Sequence, residues 1–144
     1  MRISGRVLGV DLGRRRIGLA ISDCSGTVAR PLTTLQVDAH NALDQVVAEI
    51  DRLAGEEDGL AGIVVGVPRR LDGLAHGQTA AANVFMEALR VRTSIPVKGE
   101  DERLTSREAE SRLAVRERDW RKRKVKLDAA AAAIILQDYL DRRS

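Results

Sequence analysis

Residues 7 to 21 read VLGVDLGRRRIGLAI, two short apolar runs separated by glycine and three consecutive arginines. DCSG at 23–26 is typical of a turn and is followed by TVARPL. Short apolar runs joined by turns predict three consecutive antiparallel strands, a meander. Asp11 interrupts the first run, and a carboxylate that loses hydration there needs a charged partner, a hydrogen bond or a metal. The alternative is an ordinary Asp-x-Gly turn with Gly13.

The middle of the chain alternates helix-like and strand-like segments. Residues 41–54 carry apolar side chains at a helical period, which predicts an amphipathic helix. GIVVGVP at 62–68 is short, rich in valine and ended by proline, which favours a strand buried on both faces and a parallel sheet. IPVKGED at 95–101 is predicted as a further strand. A helix over 79–92 lies between them, with these residues facing inward: Ala81, Val84, Phe85, Ala88 and Leu89.

Two helices are predicted after the last strand. Thr105 with Glu108 forms a capping box, which starts the first of them. LDAAAAAIILQDYLD at 127–141 predicts a last helix from about Asp128 to Asp141. The resulting order is β-β-β-α-β-α-β-α-α, an α/β fold with a mixed five-stranded sheet flanked by helices, in a single domain spanning residues 1–144.

Composition limits the classes of protein that this chain can belong to. A length of 144 residues allows one hydrophobic core, and 44% hydrophobic with 31% charged residues is typical of a soluble globular protein. The single cysteine excludes an intramolecular disulfide and fits a reducing cytoplasm. We find no apolar segment of signal length or of the ~20 residues that span a membrane, so we expect neither export nor membrane insertion.

The positive charge of the chain is concentrated in one segment. RERDWRKRKVK at 116–126 has seven basic and two acidic residues, although the net charge of the chain is only +3. Such a local positive potential suits an anionic polymer. The alternative is a solvated loop whose charges only keep the protein soluble.

Three acids occupy comparable positions near the ends of predicted elements: Asp11 late in the first strand, Glu102 after the last strand, and Asp128 at the start of the last helix. Ligands of open α/β sheets bind where the carboxyl ends of strands meet, and clustered carboxylates repel one another unless cations neutralise them. Mg²⁺ or Mn²⁺ suits such oxygen ligands. The alternatives are that Asp128 only complements the helix dipole and that Glu102 only pairs with Arg103 or solvent.

Four motifs together resemble the YqgF family, also called RuvX or Holliday junction resolvase-like proteins. They are GVDLGRRRIGLAISD at 9–23, IVVGVP with LDG within 63–73, EDERLTSREAE at 100–110 and LDAAAAAIILQDYLD at 127–141. The resemblance implies a ribonuclease H-like fold and a cytoplasmic, Mg²⁺- or Mn²⁺-dependent nuclease acting on RNA. Bacterial members are implicated in maturing the 5′ end of pre-16S ribosomal RNA, so the ribosome precursor is the implied partner.

The resemblance also assigns the site. Its acidic ligands fall on Asp11, on Glu102 of the DER motif and on Asp128, which would hold one or two metal ions and carry catalysis. Glu100 is an additional acid, but the motif and strand alternation favour Glu102, with Asp101 on the opposite face. The first alternative function is cleavage of branched DNA by a Holliday junction resolvase, which should be a dimer. Less favoured are a non-catalytic RNA-binding assembly factor and an ATP-binding actin-like domain; the chain itself leaves monomer or homodimer open.

Basic residues are the expected contacts to backbone phosphates, and Arg69 and Arg70 replace a pair that is usually neutral in the family. Trp120 could stack on a base or anchor its segment on the core. His40 and His76 are isolated and are predicted to be surface or packing residues. The expected nucleic-acid-binding residues are Arg15, Arg16, Arg69, Arg70, Arg121, Lys122, Arg123, Lys124 and Lys126.

Overall fold

Five strands form one mixed sheet, and helices cover both of its faces. The computed structural model describes residues 5–68, 77–102 and 120–143. The strands are β1 (Val7–Leu12), β2 (Arg16–Ser22), β3 (Ala29–Gln36), β4 (Gly62–Pro68) and β5 (Val97–Glu102). Over the same residues the helices are α1 (Ala42–Ala54), α2 (Gly77–Arg92) and α3 (Trp120–Arg143).

The sheet has the strand order β3-β2-β1-β4-β5. β1 pairs with β2 and β2 with β3 in antiparallel orientation, which confirms the predicted meander. β1 pairs with β4 and β4 with β5 in parallel orientation, which confirms the parallel part of the sheet. The carboxyl ends of β1, β4 and β5 therefore lie at the same edge, where Asp11 is the last residue but one of β1 and Glu102 is the last residue of β5.

Strand β4 is buried on both faces, as its continuous apolar sequence predicts. Ile63 and Val65 pack into the core with α1 and α2, and Val64 packs on the other face with α3. Because side chains alternate along a strand, this assigns every strand residue to one of two faces. The faces are called here the α1/α2 face and the α3 face.

The structure confirms helix α1 but corrects the orientation of α2. Val46, Val47, Ile50 and Leu53 of α1 are buried, as its periodicity predicts. In α2 the buried residues are Ala82, Met86 and Leu89, whereas the predicted inward residues Ala81 and Val84 are exposed. The prediction is confirmed for Leu89, and Phe85 packs partly buried against the core. It was wrong for Ala81 and Val84, because α2 is rich in alanine and valine on more than one side, so apolar spacing alone does not select every residue that meets the sheet.

Helix α3 lies unusually close to β1 and β2. A Cβ atom added at Gly18 would lie 1.9 Å from the carbonyl oxygen of Asp128, and one at Gly9 would lie 2.8 Å from the Cβ of Leu136. On the helix side, residues 129–133 are all alanine, and Ala132 is completely buried against the sheet. Glycine in the strands and alanine in the helix thus permit an approach that larger side chains would prevent.

Helix α3 begins at Trp120, eight residues before the predicted start at Asp128. The sequence prediction left the basic run outside the last helix, but arginine and lysine are good helix formers and the run continues into the alanine segment. Asp128 therefore lies about two turns inside the helix, and the alternative that it only complements the helix dipole is wrong, since that effect is confined to the first turn. The helix predicted to start at Thr105 lies outside the described residues.

None of the described helices is both long enough and apolar enough to cross a membrane.

The loop between β2 and β3 is organised by one carboxylate. Asp23 accepts hydrogen bonds from the backbone N–H of Thr27 at 2.8 Å and of Val28 at 3.0 Å, and from the Ser25 hydroxyl. The Ser25 bond, followed by the backbone bonds, lowers the pKa of Asp23 from 3.8 to about 2. The charged form of Asp23 therefore stabilises the turn.

Replacing Gly18 by alanine should destabilise the protein, because the added methyl group would overlap the Asp128 carbonyl. We expect a loss of about 2 kcal/mol or more in the free energy of unfolding, the cost of forcing a helix away from its packing surface. The matched control is Gly62→Ala, where the new Cβ would only meet the Val7 methyls at 3.9 Å. Urea denaturation of both variants checks this, and equal stabilities would mean that α3 adjusts freely.

The pKa of Asp23 predicts a loss of stability in acid. Because its pKa is depressed on folding, its contribution is fully present above about pH 4 and is lost as the pH falls through about 2. The carboxyl resonance of Asp23, followed by NMR, should titrate near 2 and move towards 3.8 in Ser25→Ala. The Asp23→Asn variant should lack this part of the pH dependence, and an Asp23 that titrates near 3.8 in the wild type would contradict the prediction.

Candidate active site

Asp11 is a strand residue next to the β1–β2 turn. It pairs with Gly18 across the antiparallel ladder and shares the α3 face with Val7 and Gly9 by alternation. Its side chain is half-buried. The tight geometry after it depends on Gly13, where an added Cβ would lie 2.4 Å from the Arg16 carbonyl oxygen. The sequence VDLG therefore serves two purposes, a carboxylate on the α3 face and a glycine that lets the chain turn back.

Asp128 lies beside the same strand pair, but it comes from helix α3, which packs on that face of the sheet. Its backbone carbonyl lies against Gly18, the cross-strand partner of Asp11. The contact can form only because Gly18 has no side chain, which brings the helix backbone directly onto the strand pair. Asp11 and Asp128, which are 117 positions apart in the chain, thus flank one glycine.

Arg16 forms an ion pair with Asp128. Its Nε donates a hydrogen bond to Asp128 Oδ2 at 2.6 Å. Arg16 begins β2 and lies two residues before Gly18, hence on the same α3 face. The two side chains are 28% and 27% exposed, so the pair is accessible to water and to ions. The sequence prediction assigned Arg16 to nucleic-acid contact, and the structure places its guanidinium on an acid of the candidate site.

Strand β5 contributes a further acid, Glu100, to the α3 face, and ends at the predicted ligand Glu102. Glu102, its last residue, pairs with Pro68 of β4, and Glu100 pairs with Gly66. Glu100 forms an ion pair with Arg142 near the end of α3, and only 11% of its side chain is exposed. The predicted orientation of Asp101 concerns a side chain outside the described residues. The backbone of Glu102 is described, but its side chain lies outside the described residues.

The described acids suit a divalent cation by their chemistry. Asp11 and Asp128 offer carboxylate oxygens, half-buried and on one face, which are the ligands that Mg²⁺ and Mn²⁺ prefer. Among the described side chains, no group of three or more His, Cys, Asp and Glu residues could hold a metal. The predicted set needs Glu102 as its third member, so it stays a prediction. Exposed His40 donates its backbone N–H to Asp38, and His76 lies outside the described residues.

The predicted phosphate-binding residues fall into three groups. Arg15 is exposed in the β1–β2 turn, beside Asp11 in the sequence. The second group is on the first two turns of α3, immediately before Asp128, where the backbone is described but the side chains are not; it comprises Arg121, Lys122, Arg123, Lys124 and Lys126, with Trp120 at the helix start. Arg69 and Arg70 lie outside the described residues. The described backbone therefore places a basic helix segment next to the acid of the site.

Sequence reasoning missed the role of Gly18. Its signal was a glycine inside a strand that is otherwise apolar, IGLAI at 17–21, a pattern that indicates close approach of another backbone. The spacing of Arg16 and Gly18, two apart on one strand, would also have placed both on the same face. Neither observation identifies the partner, because Asp128 is more than a hundred residues away.

Comparison with known sequences gives consistent matches over most of the chain. Residues 5–142 match the family model described as "RuvX: Holliday junction resolvase". A relative from Chloroflexus aggregans, named "Putative pre-16S rRNA nuclease", is 44% identical over 137 residues, which cover 95% of this chain and 94% of the relative. A relative of the same name from Anaeromyxobacter sp. (strain K) is 43% identical over 140 residues, which cover 96% and 98%.

Comparison with solved structures confirms the fold. The T. thermophilus RuvC in complex with a Holliday junction substrate superposes with a TM-score of 0.54 at 16% identity, covering 96% of this chain and 95% of RuvC. The yeast mitochondrial Holliday junction resolvase Ydc2 gives a TM-score of 0.53 at 15% identity, covering 97% and 79%. At these identities the likeness concerns the fold alone. The sheet order and the flanking helices are those of the ribonuclease H-like class that the sequence predicts.

Proposed function

Because this chain belongs to the RuvX family, we propose that it is a divalent-metal-dependent nuclease that hydrolyses phosphodiester bonds of RNA. The observation that carries the proposal is the convergence of Asp11 and Asp128 on Gly18, which joins the first and third acidic motifs at one point. The relatives named for pre-16S rRNA support a ribosomal RNA precursor as the substrate.

The acids would hold one or two Mg²⁺ or Mn²⁺ ions between them. Asp11 and Asp128 would bind from β1 and α3, and Glu102, the last residue of β5, would complete the set. When bound, the ions would supply an activated water and positive charge on the leaving oxygen. The contribution of the protein is rigidity, because a strand and a helix in backbone contact keep the carboxylates in place without further rearrangement.

The basic residues would bind the substrate without reading its sequence. Contacts from arginine and lysine to phosphates position a nucleic acid but carry no base identity. The basic first turns of α3 lead directly to Asp128, so a backbone bound along them would pass the acids. Arg15, exposed in the adjacent turn, would extend the same positive surface.

Cleavage of branched DNA is the second candidate, and the description of the family favours it. A resolvase should cut symmetrically and therefore act as a dimer with two sites across a two-fold axis. Incubation with labelled single-stranded RNA, duplex RNA and a four-way DNA junction, each with Mg²⁺, Mn²⁺ or EDTA, separates the candidates. We expect metal-dependent cleavage of RNA by the protein; paired, symmetric cuts in the junction and an uncut RNA would favour the resolvase.

Neutral replacements of the three acids should abolish cleavage. Asp11→Asn, Glu102→Gln and Asp128→Asn each remove a charged ligand with little change in volume, so the fold should persist while the rate falls by at least about a hundredfold. Glu100→Gln is the matched control, since it removes an acid of the same strand face that is paired with Arg142. Rates are measured on one RNA with saturating Mg²⁺. A variant that retains the wild-type rate would remove its residue from the site.

Neutralising the basic turn of α3 should weaken RNA binding with little effect on the rate at saturation. We suggest changing Arg121, Lys122, Arg123 and Lys124 to glutamine, because glutamine keeps the helix propensity of this segment. Affinity for unrelated sequences should fall by a similar factor, and the slope of log affinity against log salt should flatten by about 0.7 for each lost contact. An unchanged slope would favour the solvated-charge alternative, and a lost saturating rate would mean that the segment orders the helix around Asp128.

A further inference from the structure

Arg16 occupies the carboxylate that the proposed nuclease would offer to a metal ion. We propose that Arg16 is an exchangeable counter-ion of Asp128: it neutralises and holds the carboxylate in the metal-free protein, and a divalent cation displaces it. This inference rests on the proposed function, because it takes Asp128 as a metal ligand. It assigns Arg16 a positioning role in preparing the site.

The position of the pair is built into strand β2. Gly18 fixes the backbone of Asp128 by close contact, and Arg16, two residues earlier on the same face, fixes the side chain. The helix can therefore present Asp128 to the sheet in one orientation before any cation arrives. In the metal-free protein the pair therefore neutralises Asp128 and keeps its carboxylate against the strand.

The geometry of the pair allows exchange. Arg16 donates to Asp128 through a single bond, from Nε to Oδ2, whereas strong arginine–carboxylate pairs use two parallel bonds. Both side chains are about one quarter exposed, so water can replace either partner as they separate. Such partly exposed pairs contribute little stability. Breaking the pair is therefore an accessible event rather than local unfolding.

Electrostatics makes Arg16 and a cation competitors. A guanidinium and a divalent cation on the same carboxylate repel each other, so the binding of one weakens the binding of the other. The apparent affinity for metal is then reduced by the fraction of molecules in which Arg16 is paired with Asp128. Removing Arg16 should accordingly tighten metal binding. If Arg16 only oriented the Asp128 carboxylate for the metal, its removal would instead weaken metal binding.

Arg15 provides a matched control within the same turn. It is exposed and adjacent in sequence, so Arg15→Gln changes the net charge by the same amount as Arg16→Gln. The nonspecific attraction of cations to the protein should be raised equally by both variants. Any difference between them therefore reports the ion pair with Asp128.

The experiment is titration of the metal-free full chain with Mn²⁺, followed by the EPR signal of the free ion. Arg16→Gln should bind Mn²⁺ about fivefold more tightly than Arg15→Gln, the change expected for loss of a competing partly exposed ion pair. Arg16→Lys, which keeps the charge, should bind more weakly than Arg16→Gln. In an Asp128→Asn background the difference between the Arg16 and Arg15 variants should disappear. Circular dichroism confirms that each variant is folded.

The outcomes separate this inference from the proposed function. If Asp128→Asn weakens Mn²⁺ binding but Arg16→Gln binds like Arg15→Gln, or more weakly, exchange is wrong and the metal site stands. If neither Asp11→Asn nor Asp128→Asn alters Mn²⁺ binding, the proposed metal site fails and the inference fails with it. Should Arg16→Gln not fold, Arg16→Ala is compared with Arg15→Ala, and equal Mn²⁺ affinity of these two variants would contradict exchange.

Discussion

The close contact between helix α3 and strands β1 and β2 is the constraint on which the arrangement depends. Gly9 and Gly18 on the sheet and the alanine run on the helix remove the side chains that normally separate such layers. The strand pair then touches the helix backbone itself, at the Asp128 carbonyl. A helix held by its backbone has little freedom to shift, so the acids on the two elements keep a fixed relation.

That contact also explains why residues from the two ends of the sequence meet. β1 and β2 form a hairpin-like pair with Asp11 opposite Gly18, and α3, which follows β4, α2 and β5 in the chain, packs against that pair. The parallel pairing of β1, β4 and β5 brings Glu102 to the same edge of the sheet as Asp11. The position of the candidate site thus depends on the topology of the whole sheet, whereas its geometry depends on one glycine.

The sequence predicted those elements whose patterns have one structural solution. The β4 run is too short for a helix and has no polar face, so burial on both sides follows directly, and α1 has one clear apolar side. Part of the inward side of α2 and the start of α3 were predicted wrongly for a shared reason: alanine, arginine and lysine favour a helix without specifying which residues pack or where it begins. Asp11 and Asp128 were predictable as candidates, but the Arg16 partner was not, since no local pattern links residues 112 positions apart.

Two acids of the α3 face have arginine partners, and the difference between them separates structure from candidate chemistry. The Glu100 side chain is nearly enclosed, and Arg142 reaches it from the end of α3. If the Arg142 guanidinium moved away, the Glu100 carboxylate would be left charged, without a partner and shielded from water. Asp128 is more than twice as exposed as Glu100, and its partner comes from the strand beneath it. Loss of Arg16 can be offset by water or by another cation. An arginine can give way to a metal ion only where water reaches the carboxylate both in the ion pair and after the arginine has left. Of these two pairs, only Arg16–Asp128 meets that condition.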